Sequence, residues 1–148
     1  MIRGAPSHVD LTVTDLSRST FFYDQVLGKL GYRRLAEAGA GAPCWGVADA
    51  VGGFFTIALQ PAKPESAARV HDRYAPGLHH LAFHADSRAD VDQFHRFLQA
   101  MQATILDAPA HYDYTPGYYA VFFADPDGLK LEVVYEPSLR GMTDPGER

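Results

Sequence analysis

The chain has a single cysteine, Cys44, so it can neither close a disulfide within itself nor build a thiolate-rich zinc site. Any metal would have to be held mainly by histidine and carboxylate. It also lacks an excess of basic residues: the formal net charge is −5, and no basic stripe offsets it. A phosphate-binding surface normally needs that excess, so nucleic acid is not an expected partner. No stretch approaches the length of a membrane span, and the opening "MIRGAPSHVD" lacks the apolar run of a signal peptide. The expectation is a cytoplasmic protein with no membrane partner. What is present is an ordinary globular composition, 47% hydrophobic and 21% charged over 148 residues, enough for one domain with a sizeable core or for two small modules.

The segment "SHVDLTVT" alternates, with Val9, Leu11 and Val13 on one face and His8, Asp10 and Thr12 on the other, which predicts a strand with one apolar side. "DLSRSTFFYDQVLGKLGY" then carries helical spacing, and the helix is expected from about Ser17 to Leu27, stopped by Gly28 and Gly31. Strand-like runs follow near Tyr32–Ala36, Pro43–Val47 and Phe54–Gln60, separated by glycine-rich turns. After a proline-bearing connector the pattern restarts: "HLAFHAD" as a strand, then "SRADVDQFHRFLQAM" as an amphipathic helix with a capping arrangement at Ser87–Asp90. A short strand at Thr104–Leu106, the loop "DAPAHYDYTPG", and the strands "YYAVFFAD" and "LKLEVVYEP" about a "PDG" turn complete a second series. The predicted fold class is α+β: tandem βαβββ modules in a single domain over 1–148. Module one spans about 7–60, the linker 61–77, module two about 78–137 and a loosely ordered tail 138–148.

The repeat singles out side chains. His8 aligns with His80, and only His80 of the pair His79–His80 has the phase opposite to Leu81, Phe83 and Ala85. His79 should point the other way or belong to the strand entrance. The closing strands, "GFFTIALQP" and "GLKLEVVYEP", align so that Ile57 stands opposite Glu132. By alternation Glu132 shares the face of His8 and His80. A mid-strand carboxylate between Leu131 and Val133 is costly unless solvated, paired or metal-bound. His8, His80 and Glu132 together suit Zn²⁺, Fe²⁺, Mn²⁺, Ni²⁺ or Co²⁺, with positions left for water or substrate. The competing account is a symmetry-related polar cavity without metal. His84, two residues beyond His80, and the loop "HYDYTPGYY", with Tyr119 at its end, supply candidates for proton transfer; a plain exposed histidine and dimer-contact tyrosines are the alternatives. Asp10 and Thr12 are candidates to orient the His8 ring.

The tandem pattern, with "SHVDLTVTDLSRSTFFYDQVLGKLGYR", "GLHHLAFHADSRADVDQFH" and "GYYAVFFADPDGLKLEVVYEP", resembles the vicinal oxygen chelate superfamily, which includes glyoxalase I, methylmalonyl-CoA epimerase, extradiol dioxygenases, fosfomycin-resistance enzymes and bleomycin-binding proteins. The likeness runs from about Ser7 to Pro137, and "DPDG" followed by a strand glutamate is its most specific element. It implies a cupped mixed sheet with helices on its outer face, a divalent metal, and often a homodimer. It also implies that His8, His80 and Glu132 are ligands. The chain departs from the family at Ile57, where glyoxalase I and the epimerases usually carry Glu or Gln, and in phase with it Phe55 and Leu59 would make that wall apolar. The activity the resemblance implies is a metal-dependent, glyoxalase-like lyase or isomerase that chelates two oxygens of a small metabolite. An extradiol-type ring-cleaving dioxygenase with a two-His, one-Glu iron site is the alternative, and a metal-free drug-sequestering protein a second one.

Overall fold

The computed structural model describes residues 4–36, 41–48 and 52–139, and the chain divides into two compact units, Met1–Val70 and His71–Arg148. The division falls inside the predicted linker, so its first part goes with the first unit and its last part with the second. Much of the glycine-rich turns expected at 37–43 and 49–53, and the tail from 140 on, lie outside the described residues.

In the first unit, β1 (His8–Val13) shows the expected alternation: Leu11 and Val13 are buried, and His8, Asp10 and Thr12 exposed. The helix α1 (Leu16–Lys29) opens where the Asp15 carboxylate accepts the Arg18 backbone N–H at 2.9 Å, filling an otherwise unpaired donor of the first turn. It ends at Gly31, whose φ of +88° suits glycine. The strands β2 (Arg33–Arg34), β3 (Cys44–Ala48) and β4 (Phe54–Pro61) complete a sheet of order β1-β4-β3-β2 in which only β1 and β4 run parallel.

The second unit repeats this plan. The strands β5 (Leu81–His84), β6 (Thr104–His111), β7 (Tyr119–Ala124) and β8 (Lys130–Tyr135), with helix α2 (Arg88–Ala100) after β5, form a sheet of order β5-β8-β7-β6. Val91, Phe94 and Leu98 of α2 are buried, as are Phe83, Val121, Phe123, Leu131 and Val133 of the strands, and the Phe94 and Phe123 rings stand 5.8 Å apart. The "DPDG" turn has a local cause. Asp125 accepts backbone N–H bonds from Asp127 at 2.9 Å and Leu129 at 2.8 Å, and Gly128 takes φ +87°. The α+β class and the tandem βαβββ order are therefore as expected.

Two expectations change. β6 is not a three-residue strand followed by a loop but extends to His111, with register shifts between Ile105 and Asp107 and between Asp107 and Ala110; these irregularities accommodate Pro109, which cannot donate to a ladder. Ile57 is not the counterpart of Glu132. Val9 pairs with Ile57 and Asp10 with Ala58, while Leu81 pairs with Leu131 and Ala82 with Glu132. With His8 matched to His80, Glu132 corresponds to Ala58. Ile57, with no exposed surface, corresponds to Leu131 on the buried side.

Candidate functional site

β8 presents Glu132 on the sheet face opposite α2, where it pairs across the ladder with Phe122 of β7 and Ala82 of β5. The residue is 1% exposed. Burial pushes its carboxyl above the usual carboxylate range, and Glu136 adds to the rise, against a bond from Tyr118 and the positive charge of Lys130, which act downward. One oxygen is satisfied: the Tyr118 hydroxyl donates to Oε1. The other, Oε2, has no hydrogen-bond partner although it is buried.

His80, just before β5, brings Nε2 to 3.2 Å from that oxygen. The two atoms are close but not aligned for a hydrogen bond, the disposition expected of two donors aimed at a common third atom. Ligands about 2.1 Å from one ion stand about 3.0 Å apart in octahedral and about 3.4 Å apart in tetrahedral coordination, so the observed gap fits a shared divalent cation. His79 supports the pair: its Nδ1 lies 2.7 Å from Nδ1 of His80, and the rings meet edge to face at 5.0 Å. If His80 donates Nδ1–H in that contact, the lone pair of its Nε2 is left facing Glu132. Burial, Lys130 and Arg73 all hold the His80 pKa below its ordinary value, which favours the neutral, ligating imidazole.

Aromatic side chains surround this pair. Phe122, Ala120 and Val134 form a buried cluster on the same face, with Tyr112 and Tyr118 packed on it. Tyr112 meets Phe122 edge-on at 5.2 Å and stacks on Tyr114 at 5.6 Å, and the Lys130 ammonium sits 3.8 Å from the centre of the Phe122 ring. Burial and the bond to Glu132 raise the Tyr118 pKa far above its ordinary value, so its hydroxyl stays protonated and donates.

The structure thus gathers two of the three expected ligands, His80 and Glu132. His8 stands in the first unit, exposed at the start of β1, with Nδ1 3.3 Å from Ser7 Oγ. Among the described residues, no three His, Cys, Asp or Glu side chains form a group able to hold an ion. Asp10 does not reach His8 but accepts from Gln60 at 2.9 Å. Gln60 and Thr56 share the phase of Ala58, so this face of β4 carries an amide and a hydroxyl rather than the apolar wall expected from Phe55 and Leu59. His84 is exposed on the His80 face, opposite Val134. Tyr119 is placed otherwise than expected: its hydroxyl donates to Asp92 of α2 at 2.8 Å and its ring packs on His111, on the helix side of the sheet. The phenol at Glu132 is its neighbour Tyr118, a member of the candidate loop that the sequence reading did not single out over Tyr119. The signal was its phase with Ala120 and Phe122.

The fold and the site find counterparts in known proteins. A 34% identical relative, the Bacillus subtilis (strain 168) uncharacterized protein YqjT, aligns over 128 residues, 86% of this chain and 95% of its own. A Bacillus halodurans crystal structure, provisionally assigned as a glyoxalase, superposes with TM-score 0.75 at 29% identity over 90% of this chain and 97% of its own. Lactoylglutathione lyase from Agrobacterium tumefaciens, at 20% identity and TM-score 0.60 over 95% and 99% of the two chains, shares the fold. The repeated strand order, the paired His80 and Glu132 and the profile match over residues 5–133 together place the chain in the Glyoxalase/Bleomycin resistance protein/Dioxygenase superfamily.

Proposed function

We propose that the protein is a divalent-metal-dependent lyase or isomerase of glyoxalase type, acting on a small oxygenated metabolite. The observation that carries this reading is the buried Glu132 Oε2, which lacks a hydrogen-bond partner yet faces His80 Nε2 at 3.2 Å. An orphaned buried carboxylate oxygen is expensive, and a shared cation removes the cost. His80 and Glu132 would hold the ion. Bound there, the metal would polarise a substrate oxygen and stabilise negative charge developing on it.

The chain's own residues do the rest. Tyr118 fixes the Glu132 carboxylate through Oε1, and His79 fixes the His80 ring. The aromatic side chains around Tyr118 exclude water from one side of the site. His84, exposed on the same face, is the candidate to carry a substrate proton. A second reading, a ring-cleaving dioxygenase, draws on Ala58: where Glu132 has its counterpart in the first unit there is no donor atom, as in a two-histidine, one-carboxylate iron set.

Elemental analysis of protein purified without tag or chelator tests both readings. Near-stoichiometric metal, lost in His80→Ala and in Glu132→Ala, is the expected result. Iron as the bound metal, with oxygen uptake on a catechol, would move the assignment to the dioxygenase. Absence of metal after reconstitution with several divalent ions would reject both in favour of a metal-free binding protein.

A further inference from the structure

Two cations stand by the face that bears Glu132, in a chain whose net charge is −5. Lys130 shares that face, two residues before Glu132, and its ammonium lies over the Phe122 ring rather than on a carboxylate. Arg73 approaches from the segment before β5. Its guanidinium lies over the Tyr74 ring, 4.9 Å from the centre, and donates to the Tyr74 hydroxyl at 2.8 Å. Tyr74 in turn meets His79 edge-on at 5.9 Å, and His79 touches His80. Among the described residues neither Lys130 nor Arg73 forms an ion pair. Arg73 thus reaches the His79–His80 pair through the Tyr74 ring, and Lys130 stands beside Glu132 on the same face, so two cations that form no ion pair are placed where a ligand anion would pair with them.

Beside this charge lie rings with free edges and faces. Tyr114 is largely exposed while stacked on Tyr112, and Tyr118 stands edge-on to Tyr114 at 5.2 Å. Such a group favours a flat partner by offset or edge-on contact.

We infer that the ligand of this face is a small carboxylate with a flat, unsaturated or aromatic body, its anionic group held by Lys130 and Arg73 and its body against Tyr112, Tyr118 and Phe122. This rests on the reading of the His80–Glu132 face as the substrate site, and it names the class of substrate.

The test uses metal-free protein at low ionic strength and compares benzoate with its uncharged analogue benzamide, by calorimetric or NMR titration. Benzoate is expected to bind about tenfold more tightly, a difference of about 1.4 kcal/mol. Lys130→Met and Arg73→Met should each cut the ratio below about threefold, and Lys130→Arg should retain most of it, since both carry one positive charge. Equal affinity for the two probes, no benzoate binding, or a ratio unchanged in both methionine variants would overturn the inference. Arg73 lies outside the sheet, so its variant reports even if Lys130→Met perturbs folding. Elemental analysis is separate: a charge preference in a protein that never takes up metal would sink the metal centre and keep the anion site, and the converse would do the reverse.

Discussion

The two units share one strand order, yet their two faces correspond to very different degrees. Towards the helices the match is close. Val9 pairs with Ile57 as Leu81 pairs with Leu131, and neither Ile57 nor Leu131 has exposed surface. On the opposite faces it fails: Thr56, Ala58 and Gln60 in β4 stand where β8 has Lys130, Glu132 and Val134. Packing against a helix demands shape and volume, so that face admits few solutions. The other face keeps a buried charge only where partners exist to hold it, and Tyr118 and His80 provide them in the second unit alone.

The largest expected effect tests the matched faces. Ile57→Ala and Leu131→Ala should each cost about 2–5 kcal/mol, since both delete a fully buried branched side chain. Hydrogen exchange resolved by unit during urea unfolding would measure it, each variant loosening its own sheet first. A cost for Ile57→Ala below about 0.5 kcal/mol, the range of surface substitutions, would mean that Ile57 lies on the other face and that the repeat has been matched one residue out of register.

The next effect concerns the unmatched faces. Glu132→Gln should stabilise the metal-free protein at neutral pH by about 1–3 kcal/mol, because the amide still accepts from Tyr118 and its nitrogen can donate to the His80 Nε2 lone pair. The sign follows from the pKa. A carboxyl whose folded pKa is raised contributes stability that is fully present below the ordinary carboxylate range and is lost as pH rises through the folded value. The advantage of the glutamine variant should therefore grow as pH rises above the ordinary carboxylate range, read as the difference in Tm. Equal pH dependence in the two proteins would show that Glu132 is not held in a desolvated site. The matching substitution in the first unit, Ala58→Glu, should destabilise, because it places a carboxylate at a buried position directly across the ladder from Asp10.

How far the sequence disclosed this arrangement depended on how clearly each strand alternates. β1 alternates buried and exposed, and its faces were legible at once. In β4 the residues Ile57, Ala58 and Leu59 are all buried, so no period of two marks the faces, and aligning the ends of the two closing strands slipped the register by one. That slip moved the apparent loss of the ligand from Ala58 to Ile57. β6 was hidden for another reason: Asp107 and Pro109 read as loop residues, and only the pairing with β7 shows that shifts in register carry the strand past them. The contacts of His79 with His80, and of Arg73 with Tyr74 beside it, arise from a segment without regular structure, which periodicity cannot place. That His80 and Glu132 share a face was legible because both stand at, or one residue outside, short strands whose apolar neighbours alternate in sequence.

The smallest effect contrasts two adjacent tyrosines that one residue of phase sends to opposite sides of a sheet. Tyr119→Phe removes a hydroxyl bonded to Asp92, and should cost about 0.5–1.5 kcal/mol of stability while leaving metal affinity unchanged. Tyr118→Phe removes the donor to Glu132 Oε1. Losing that bond raises the Glu132 pKa further and frees its carboxylate to rotate, so metal affinity should fall about tenfold, the scale seen when a ligand loses its supporting hydrogen bond. Competition with a chromophoric chelator, run beside urea unfolding of both variants, separates the two effects. A loss of affinity in Tyr119→Phe equal to that in Tyr118→Phe would mean that the tyrosines act as one group, and the division of β7 into a helix side and a site side would fail.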